Sequence, residues 1–237
     1  MRFIDLNADL GEGGTQDAAL LELVSSANIA CGGHAGDEET MRRSIEKALA
    51  CGVAIGAHPG YEDREHFGRL AMVLSLEKVT DLVQRQVEAL ATLAENAGAR
   101  LHHVKPHGAL YNQASRDALL AAAVVAGITR VSPDLILYAL PPSALAEAGR
   151  AAGLAVYAEG FADRRYRFDG SLMPRGEPGA VIKDVDAAVV QAMEIVSHGK
   201  VETLCVHGDG VTAVAILRAV RARLGEAGLA VRRQLRN

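Results

Sequence analysis

Seven short apolar stretches recur along the chain, and each leads into a small group of polar residues. They occupy positions 3–6, 27–30, 53–55, 103–104, 135–138, 155–157 and 204–206. Their apolar residues are continuous rather than alternating, which is typical of strands buried on both faces. Segments with helical period separate them, at 37–52, 75–98, 117–126, 143–152, 185–196 and 212–225. This alternation predicts a parallel sheet with right-handed crossovers.

The positions of the polar groups distinguish a barrel from an open sheet. An open doubly wound sheet gathers its ligand groups at one switch point, whereas a parallel barrel carries its active site around the carboxyl ends of its strands. Here polar groups follow nearly every strand. We therefore predict an α/β fold, a single-domain, distorted TIM-like (β/α) barrel with seven strands that spans residues 1–237.

A long segment without helical period, from 160 to 182, interrupts the alternation. It carries several cations, among them Arg164 and Arg175, and is spaced by glycines and prolines. Loops of this length in a compact domain are usually functional or disordered. We expect this one to form an ordered lid or an anion-binding wall.

Charge and composition disfavour several classes of function. The formal net charge is -4 and only 4% of the residues are aromatic, so nucleic-acid binding is not expected. No apolar run approaches the roughly 20 residues of a membrane span. The first residues lead straight into a strand without a leader, which predicts a cytoplasmic protein. The three cysteines are scattered and predict reduced thiols, two of them buried.

The first strand leads into Asn7, Asp9 and Glu12. Two carboxylates and an amide beyond a buried strand suit metal binding, general-base catalysis or the positioning of water. The alternative is a simple turn, since Asn, Asp and Gly all favour turns. We take Asp9 and Glu12 as candidate catalytic residues and Asn7 as a candidate substrate-binding residue.

The loops after the second and third strands carry imidazoles. Three glycines surround His34 and permit close approach of the backbone to a ligand, although the same loop also serves to cap a helix. The next loop carries His58 and Arg69, and a guanidinium binds a carboxylate or phosphate in bidentate fashion unless it is merely solvated. If His34 and His58 meet Asp9 at the barrel mouth, the three suit a catalytic divalent metal with an open position.

Lys105 and His107 form the sharpest short motif, Lys-Pro-His-Gly, at the end of the fourth strand. A buried Lys either has a depressed pKa and acts as acid or base, or neutralises a developing oxyanion. His107 is the natural proton carrier near neutral pH. His207 and Asp209 repeat the arrangement after the last strand, where Asp209 alternatively caps the last helix. No P-loop, GxGxxG or GxSxG motif accompanies them.

Several segments together resemble the family of the A-type 5-oxoprolinase subunits, the lactam utilisation proteins of the LamB/YcsF type. The matching segments, in chain order, are DLNADLGE (5–12), NIACGGHAGD (28–37), GAHPGY (56–61), HVKPHGALYN (103–112), FADRRY (161–166) and VHGD (206–209). The resemblance implies a barrel of the glycoside hydrolase/deacetylase-like kind. It also implies ATP-dependent opening of the lactam 5-oxoproline to L-glutamate, with two partner subunits of the B and C types.

The sequence departs from the family pattern at three positions near the expected barrel mouth. A Phe is usual where Gly33 stands, a second Arg where Leu70 stands, and Thr-Pro from Gly210 onward. These departures leave the substrate open to differ, while the expected fold is unaffected.

The resulting hypothesis is the A-type subunit of an ATP-dependent 5-oxoprolinase. Lys105 holds the phosphorylated or tetrahedral oxygen and His107 transfers a proton. Asp9 or Glu12 positions water, alone or through a divalent metal. The absence of a P-loop leaves open whether ATP binds to this chain in another way or on a partner.

Binding of the substrate is assigned to a second set of residues. Arg69 and Arg164 are the candidates for the substrate carboxylate or a phosphate. The full set of candidate substrate-binding residues is Asn7, His34, Arg69, Arg164, His207 and Asp209. Two alternatives remain: a stand-alone metal-dependent amidohydrolase or deacetylase, and a non-catalytic 5-oxoproline-binding subunit. The oligomeric state is also open, a homo-oligomer included.

Overall fold

The computed structural model describes residues 3–233, so that residues 1–2 and 234–237 lie outside the described part. The strands are β1 (Phe3–Leu10), β2 (Ser26–Ala30), β3 (Ala54–His58), β4 (His103–Val104), β5 (Ile136–Ala139), β6 (Ala155–Phe161), β7 (Thr203–Val206) and β8 (Ala230–Val231). The helices are α1 (Asp17–Leu21), α2 (Glu38–Ala50), α3 (Leu76–Asn96), α4 (Gly108–Ala114), α5 (Ala118–Val131), α6 (Ala144–Ala151), α7 (Val185–Ser197) and α8 (Ala213–Glu226).

Strands β1 to β7 close into a parallel barrel. Strands β2 to β7 follow one another in chain order, each paired in parallel with the next. β1 closes the ring because its residues 7–10 pair with β2 and its residues 5–8 pair with β7. The predicted seven-stranded, TIM-like barrel is therefore confirmed. The short β8, which the sequence pattern did not predict, pairs with the start of β1 outside the ring.

Local capping explains why the predicted helices begin where they do. The side chains of Asp37, Ser75, Asp117 and Ser143 each accept a hydrogen bond from a backbone N–H in the first turn of α2, α3, α5 and α6. The alternative interpretation of Asp209 as a helix cap is wrong, because α8 begins after residue 212. Helices α1 and α4, of five and seven residues, were not predicted.

Apolar faces of the helices pack on the outside of the barrel, so that the core lies between the helices and the strands. None of the helices among residues 3–233 combines the length and the apolar composition that a membrane crossing requires. That the whole of residues 1–237 forms one domain stays a prediction, because its ends lie outside the described part. The cysteine prediction is confirmed: Cys31 and Cys205 are buried, Cys51 is exposed, and all three are free thiols.

Candidate active site

The ammonium group of Lys105, which follows β4, is buried among groups from three other strands. Its Nζ lies 2.9 Å from Oδ1 of Asp9, 3.0 Å from Oε1 of Glu159 and 3.0 Å from Sγ of Cys205. Only 2% of the Lys105 surface is exposed. Oδ1 of Asn7 lies farther away, at 3.4 Å, so the three hydrogens of the ammonium group have four acceptors around them. Strands β1, β6 and β7 thus meet at one buried cation.

The surroundings of Lys105 keep it charged. Burial by itself lowers the pKa of Lys105, but the charges of Asp9 and Glu159 outweigh burial and raise the pKa well above its usual value. Burial raises the pKa of the Cys205 thiol, so Cys205 is a neutral partner at neutral pH. Of the two alternatives for Lys105, the base with a depressed pKa is therefore wrong, and the cation remains.

A buried polar network holds the partners of Lys105 in place. Nδ2 of Asn7 donates to Glu159 at 3.2 Å and to Thr203 at 2.7 Å. Nδ2 of Asn28 donates to Oδ1 of Asn7 and to Oδ1 of Asp9, both at 2.8 Å. Parallel barrels usually fill their interior with branched apolar side chains. This network therefore indicates that the barrel interior is built to position charged groups, and Asn7 belongs to that support.

Three imidazoles and one carboxylate converge next to Asp9. Oε1 of Glu12 lies 3.1 Å from Nε2 of His34, 3.3 Å from Nδ1 of His107 and 3.7 Å from Nε2 of His58. His58 Nε2 is also 2.9 Å from Nδ1 of His107 and 3.5 Å from Oδ2 of Asp9. We call Glu12, His34, His58 and His107 the histidine cluster. The structure brings His34 and His58 together, and it adds Glu12 and His107 to them.

The members of the histidine cluster differ in charge. Burial lowers the pKa of His107 to about 3 and also lowers that of His34, despite their hydrogen bonds to Glu12. Burial also opposes protonation of His58, but the charges of Asp9 and Glu12 outweigh it and raise the pKa of His58. Hydrogen bonds from His107 and His34 outweigh burial and keep the pKa of Glu12 low. His107 is therefore a neutral imidazole at neutral pH.

Close packing holds the rings of the histidine cluster. His34 stacks on His107 with ring centroids 3.7 Å apart and planes at 4°. A Cβ atom at Gly60 would lie 2.8 Å from Nδ1 of His34, and one at Gly68 would lie 2.7 Å from the His34 Cβ. Gly68 also has a φ of +62°, which a residue with a side chain rarely adopts. The glycines after β3 thus leave room for the His34 imidazole. The sequence indicated such a role for the glycines of the loop that carries His34 itself.

Gln86 of α3 occupies the space beside Gly33. Its side chain accepts from the Gly60 N–H at 3.0 Å and donates to the Gly60 carbonyl at 2.7 Å. A Cβ atom at Gly33 would lie 2.5 Å from Nε2 of Gln86. The departure from the family pattern at Gly33 is therefore matched by a buried amide that ties down the loop after β3.

His207 and Asp163 form a buried pair next to Asp9. The backbone N–H of His207 donates to Asp163 at 3.0 Å, and its Nδ1 lies 3.0 Å from Oδ1 of the same carboxylate. Burial raises the pKa of Asp163, but the charge and hydrogen bonds of His207 outweigh it and lower that pKa. Nε2 of His207 lies 3.9 Å from Oδ2 of Asp9. Asp163 therefore orients the His207 ring toward the Asp9 carboxylate.

The guanidinium groups of Arg69, Arg164 and Arg175 also belong to the site, and few carboxylates lie close enough to pair with them. Oδ2 of Asp209 accepts from NH2 of Arg69 at 2.5 Å and from NH1 of Arg175 at 3.2 Å. Arg164 is 4% exposed, and its Nε has no hydrogen-bond partner within residues 3–233; the same holds for the buried NH2 of Arg175. Burial and the neighbouring Arg175 lower the pKa of Arg164 to about 10. Guanidinium N–H groups that have no hydrogen-bond partner, on cations that lie close together, suit the binding of an anionic ligand.

A cavity of about 420 Å³ is lined by part of the groups described so far. This volume lies within the range of small-molecule sites. Segment 162–182 forms one wall and is held by antiparallel bridges from Arg164 to Val181 and from Tyr166 to Leu172. The charged and imidazole residues lining the cavity are Asp9, His58, Arg69, Lys105, His107, Arg116, Arg164, Arg175 and His207. The remaining predicted site residues, which do not line it, are Asn7, Glu12, His34 and Asp209.

Glu159, Cys205 and Asp163 belong to the site, although the sequence did not single them out as site residues. Glu159 lies within β6 and Cys205 within β7, so both read as interior strand positions. Asp163 follows β6 in a segment dominated by arginines. Only the position of Glu159 and Asp163 in the sequence could have indicated that they belong to the site, because both lie in the polar group that follows the sixth apolar stretch.

The chain is a closed parallel α/β barrel with charged groups at the carboxyl ends of its strands. It resembles the catalytic domain of a peptidoglycan N-acetylglucosamine deacetylase from Eubacterium rectale, with 11% identity over 99% of this chain and 89% of that one, at a TM-score of 0.58. It also resembles a polysaccharide deacetylase from Bacillus cereus, with 14% identity, 99% and 93% coverage, and a TM-score of 0.54. At such identities the similarity shows the fold alone.

A much closer similarity gives the family. The crystal structure of a lactam utilization protein from Thermus thermophilus is 41% identical over 98% of this chain and 99% of that one, at a TM-score of 0.90. The family model for LamB/YcsF matches residues 4–237. The chain belongs to the LamB/YcsF family, as its motifs predicted.

Proposed function

We propose that this chain is the lactam-opening, A-type subunit of an ATP-dependent 5-oxoprolinase, which converts 5-oxoproline to L-glutamate with two partner subunits of the B and C types. Membership of the LamB/YcsF family and the 41% identity to a protein described as a lactam utilization protein support a lactam as substrate. The observation that carries the proposal is the charged, buried Lys105 at the wall of a cavity of about 420 Å³.

Lactam opening places negative charge on the carbonyl oxygen. Water adds to the carbonyl carbon, the ring C–N bond breaks, and the nitrogen takes up a proton. Lys105 is held in place before the reaction and donates to the developing oxyanion, which is where a preorganised cation contributes most. To do so it exchanges one of its present partners for the substrate oxygen. The neutral thiol of Cys205 is a weaker acceptor than the carboxylates of Asp9 and Glu159 and is the partner exchanged.

Asp9 and His107 supply the proton transfers in this proposal. Oδ1 of Asp9 is taken by Lys105 and Asn28, which leaves Oδ2 to position the attacking water at the cavity. His107 lines the same cavity, and in this proposal it transfers the proton of that water to the ring nitrogen, with its positive charge balanced by Glu12, 3.3 Å from its Nδ1. Glu12 does not line the cavity and acts as a positioning residue through His107.

The guanidinium groups provide the anion-binding part of the site. Arg164 and Arg69 bind the carboxylate of 5-oxoproline or a phosphoryl group, with the unpartnered Nε of Arg164 as a donor already in place. ATP would activate the resonance-stabilised amide by transfer of its terminal phosphoryl group to the carbonyl oxygen, with ADP as the leaving group. After water has opened the ring, a second water would hydrolyse the phosphorylated product to glutamate and phosphate. The chain carries no P-loop, so we assign ATP to a partner subunit or to the interface with it.

Release of glutamate from 5-oxoproline, measured with and without ATP and partner subunits, tests the proposal. We expect turnover only when the chain, the partners and ATP are all present. Replacing Arg164 with Met should raise KM at least tenfold, whereas Arg150→Met, at an exposed position of α6, should leave KM unchanged. Turnover by the chain alone without ATP would favour the stand-alone amidohydrolase instead. Tight 5-oxoproline binding without turnover in any combination would favour the binding subunit.

A further inference from the structure

Three imidazoles line the cavity, and the ring of His207 differs from the other two in its hydrogen bonds. Its Nδ1 lies 3.0 Å from Oδ1 of Asp163, whereas its Nε2 has no hydrogen-bond partner among the described residues. His58 and His107 contact each other and one backbone carbonyl oxygen each, so both of their nitrogens are engaged. A reactant in the cavity therefore meets an available imidazole nitrogen at His207.

Asp163 determines which nitrogen of His207 carries the hydrogen. Burial raises the pKa of Asp163, but the charge and hydrogen bonds of His207 outweigh it, so the group is a carboxylate and only accepts hydrogen bonds. Nδ1 of His207 therefore carries a hydrogen, and in the neutral ring the lone pair is on Nε2. The ring also stacks on Phe161, with centroids 5.6 Å apart and planes at 22°. Nε2 is thus an acceptor with a fixed direction.

A second acceptor lies across a short gap from this nitrogen. Nε2 of His207 is 3.9 Å from Oδ2 of Asp9, and both residues line the cavity. Oδ1 of Asp9 is engaged by Lys105 and Asn28, while Oδ2 has Nε2 of His58 at 3.5 Å. Two acceptors that share the hydrogens of one water molecule lie about 4 Å apart, given hydrogen bonds of about 2.7–2.8 Å. The gap therefore fits a single bridging water molecule.

The backbone fixes the width of this gap. Residues 5–8 of β1 pair in register with residues 203–206 of β7, and Asp9 and His207 are the next residues along the two strands. Gly208 lies so close to the Asp9 carbonyl oxygen that an added Cβ atom would overlap it. Strand pairing and close backbone packing, rather than a long loop, therefore position the two acceptors relative to each other.

We propose that Nε2 of His207 and Oδ2 of Asp9 together hold the water molecule that attacks the substrate carbonyl carbon, with Asp163 as the positioning residue of His207. The water donates one hydrogen to each acceptor, so that a lone pair of its oxygen is directed away from both. His207 adds the second acceptor to the proposed lactam hydrolysis, on which this role rests. His207 thus acts on the attacking water rather than in binding the substrate.

Glutamate release by the reconstituted complex tests this role of His207. His207→Phe keeps a ring but removes both nitrogens, so kcat should fall about tenfold or more while KM for 5-oxoproline stays unchanged. His198→Phe, at an exposed position directly after α7, is the matched control and should keep both parameters. An unchanged kcat in the His207 variant, or a raised KM in place of a lowered kcat, would overturn the assignment. Absence of turnover in the unmodified complex would instead count against the proposed function.

Two measurements on the chain alone need no turnover. A crystal structure should show an ordered water molecule within hydrogen-bond distance of both Nε2 of His207 and Oδ2 of Asp9, and His207→Phe should lose it. Nitrogen-15 spectra at about pH 8, where an imidazole with the usual pKa is neutral, should show the hydrogen of His207 on Nδ1.

Asp163→Asn should move this hydrogen to Nε2. The backbone N–H of His207 keeps the asparagine oxygen, which leaves the amide NH2 group to donate to Nδ1. The variant should also lower kcat while KM stays unchanged. A direct contact between His207 and Asp9 without a water molecule, or hydrogen on Nε2 in the unmodified chain, would overturn the proposal whatever the lactam assay shows.

Discussion

Nζ of Lys105 and Sγ of Cys205 lie 3.0 Å apart, although the residues belong to the ends of β4 and to β7, which do not pair. The thiol is 0% exposed and uncharged at neutral pH, since burial raises its pKa. The carboxylate partners of Lys105, Asp9 and Glu159, hold a charged donor more strongly. Cys205 thus holds one hydrogen of the Lys105 ammonium group through a weak hydrogen bond only.

Substitutions at Cys205 should show whether this weak bond matters. A serine hydroxyl accepts hydrogen bonds better than a thiol, so Cys205→Ser should hold the third hydrogen of Lys105 and lower kcat about three- to tenfold, the worth of one hydrogen bond. Cys205→Ala leaves that hydrogen free and should retain kcat. ATP-dependent glutamate release by the reconstituted complex measures both. Equal kcat values for the Ser and Ala variants would contradict the role given to Cys205.

Removal of Lys105 should affect stability as well as activity. Lys105→Met leaves the carboxylates of Asp9 and Glu159 buried without their cation, which should cost about 3–5 kcal/mol in the free energy of unfolding. The double variant Lys105→Met with Glu159→Gln removes one of these charges and should recover part of the loss. Urea unfolding gives the stabilities, and neither variant should release glutamate. An active, fully stable Lys105→Met chain would be incompatible with this account.

Gly208 should tolerate no side chain. A Cβ atom there would lie well inside van der Waals contact with the carbonyl oxygen of Asp9, which is backbone and has little freedom to move. Gly208→Ala should therefore destabilise the fold by about 2 kcal/mol or more. Gly225→Ala, in α8 with no atom within 4 Å of the added Cβ, is the matched control and should be neutral or stabilising by up to about 1 kcal/mol. Similar unfolding free energies for both variants would refute the proposed clash.

The Asp163–His207 pair should contribute stability that depends on pH. The folded-state pKa of Asp163 is lowered because His207 outweighs burial, so the contribution is complete above the unfolded value of about 3.9 and is lost as pH falls further. Asp163→Asn should be destabilised by about 1–3 kcal/mol at pH 7, and its difference from the parent should shrink below about pH 4. Asp81→Asn, in an exposed ion pair, should differ by under about 1 kcal/mol throughout. Denaturation measured across pH 3–7 checks the trend, and a difference independent of pH would count against it.

The parts of the fold that depend on local sequence were predictable, and those that depend on barrel closure were not. The caps Asp37 and Ser75 act within one helical turn, so their helices could be placed from sequence. Helix α4 begins at Gly108 and lasts seven residues, and β8 has two residues, so neither offers enough periodicity to detect.

The same distinction applies to the site. Lys105 and His107 were recognisable because they directly follow a strand, where a parallel barrel gathers its functional groups. Glu159 and Cys205 become partners of Lys105 only when β6 and β7 complete the ring. No spacing along the chain indicates which side chains meet across a closed barrel, so the identity of these partners required the three-dimensional structure.

The packing of Gln86 against Gly33 has an evolutionary consequence. The amide holds the loop of His58 through both polar groups of Gly60, and it occupies the volume that any side chain at position 33 would need. A relative with Phe at the corresponding position therefore cannot also place a glutamine here in the same way. The two positions should change together among homologues, and each lineage should carry either a large residue at the first position or the glutamine at the second. Exchanging only one of them between lineages would produce a misfit in the loop that supports the histidine cluster.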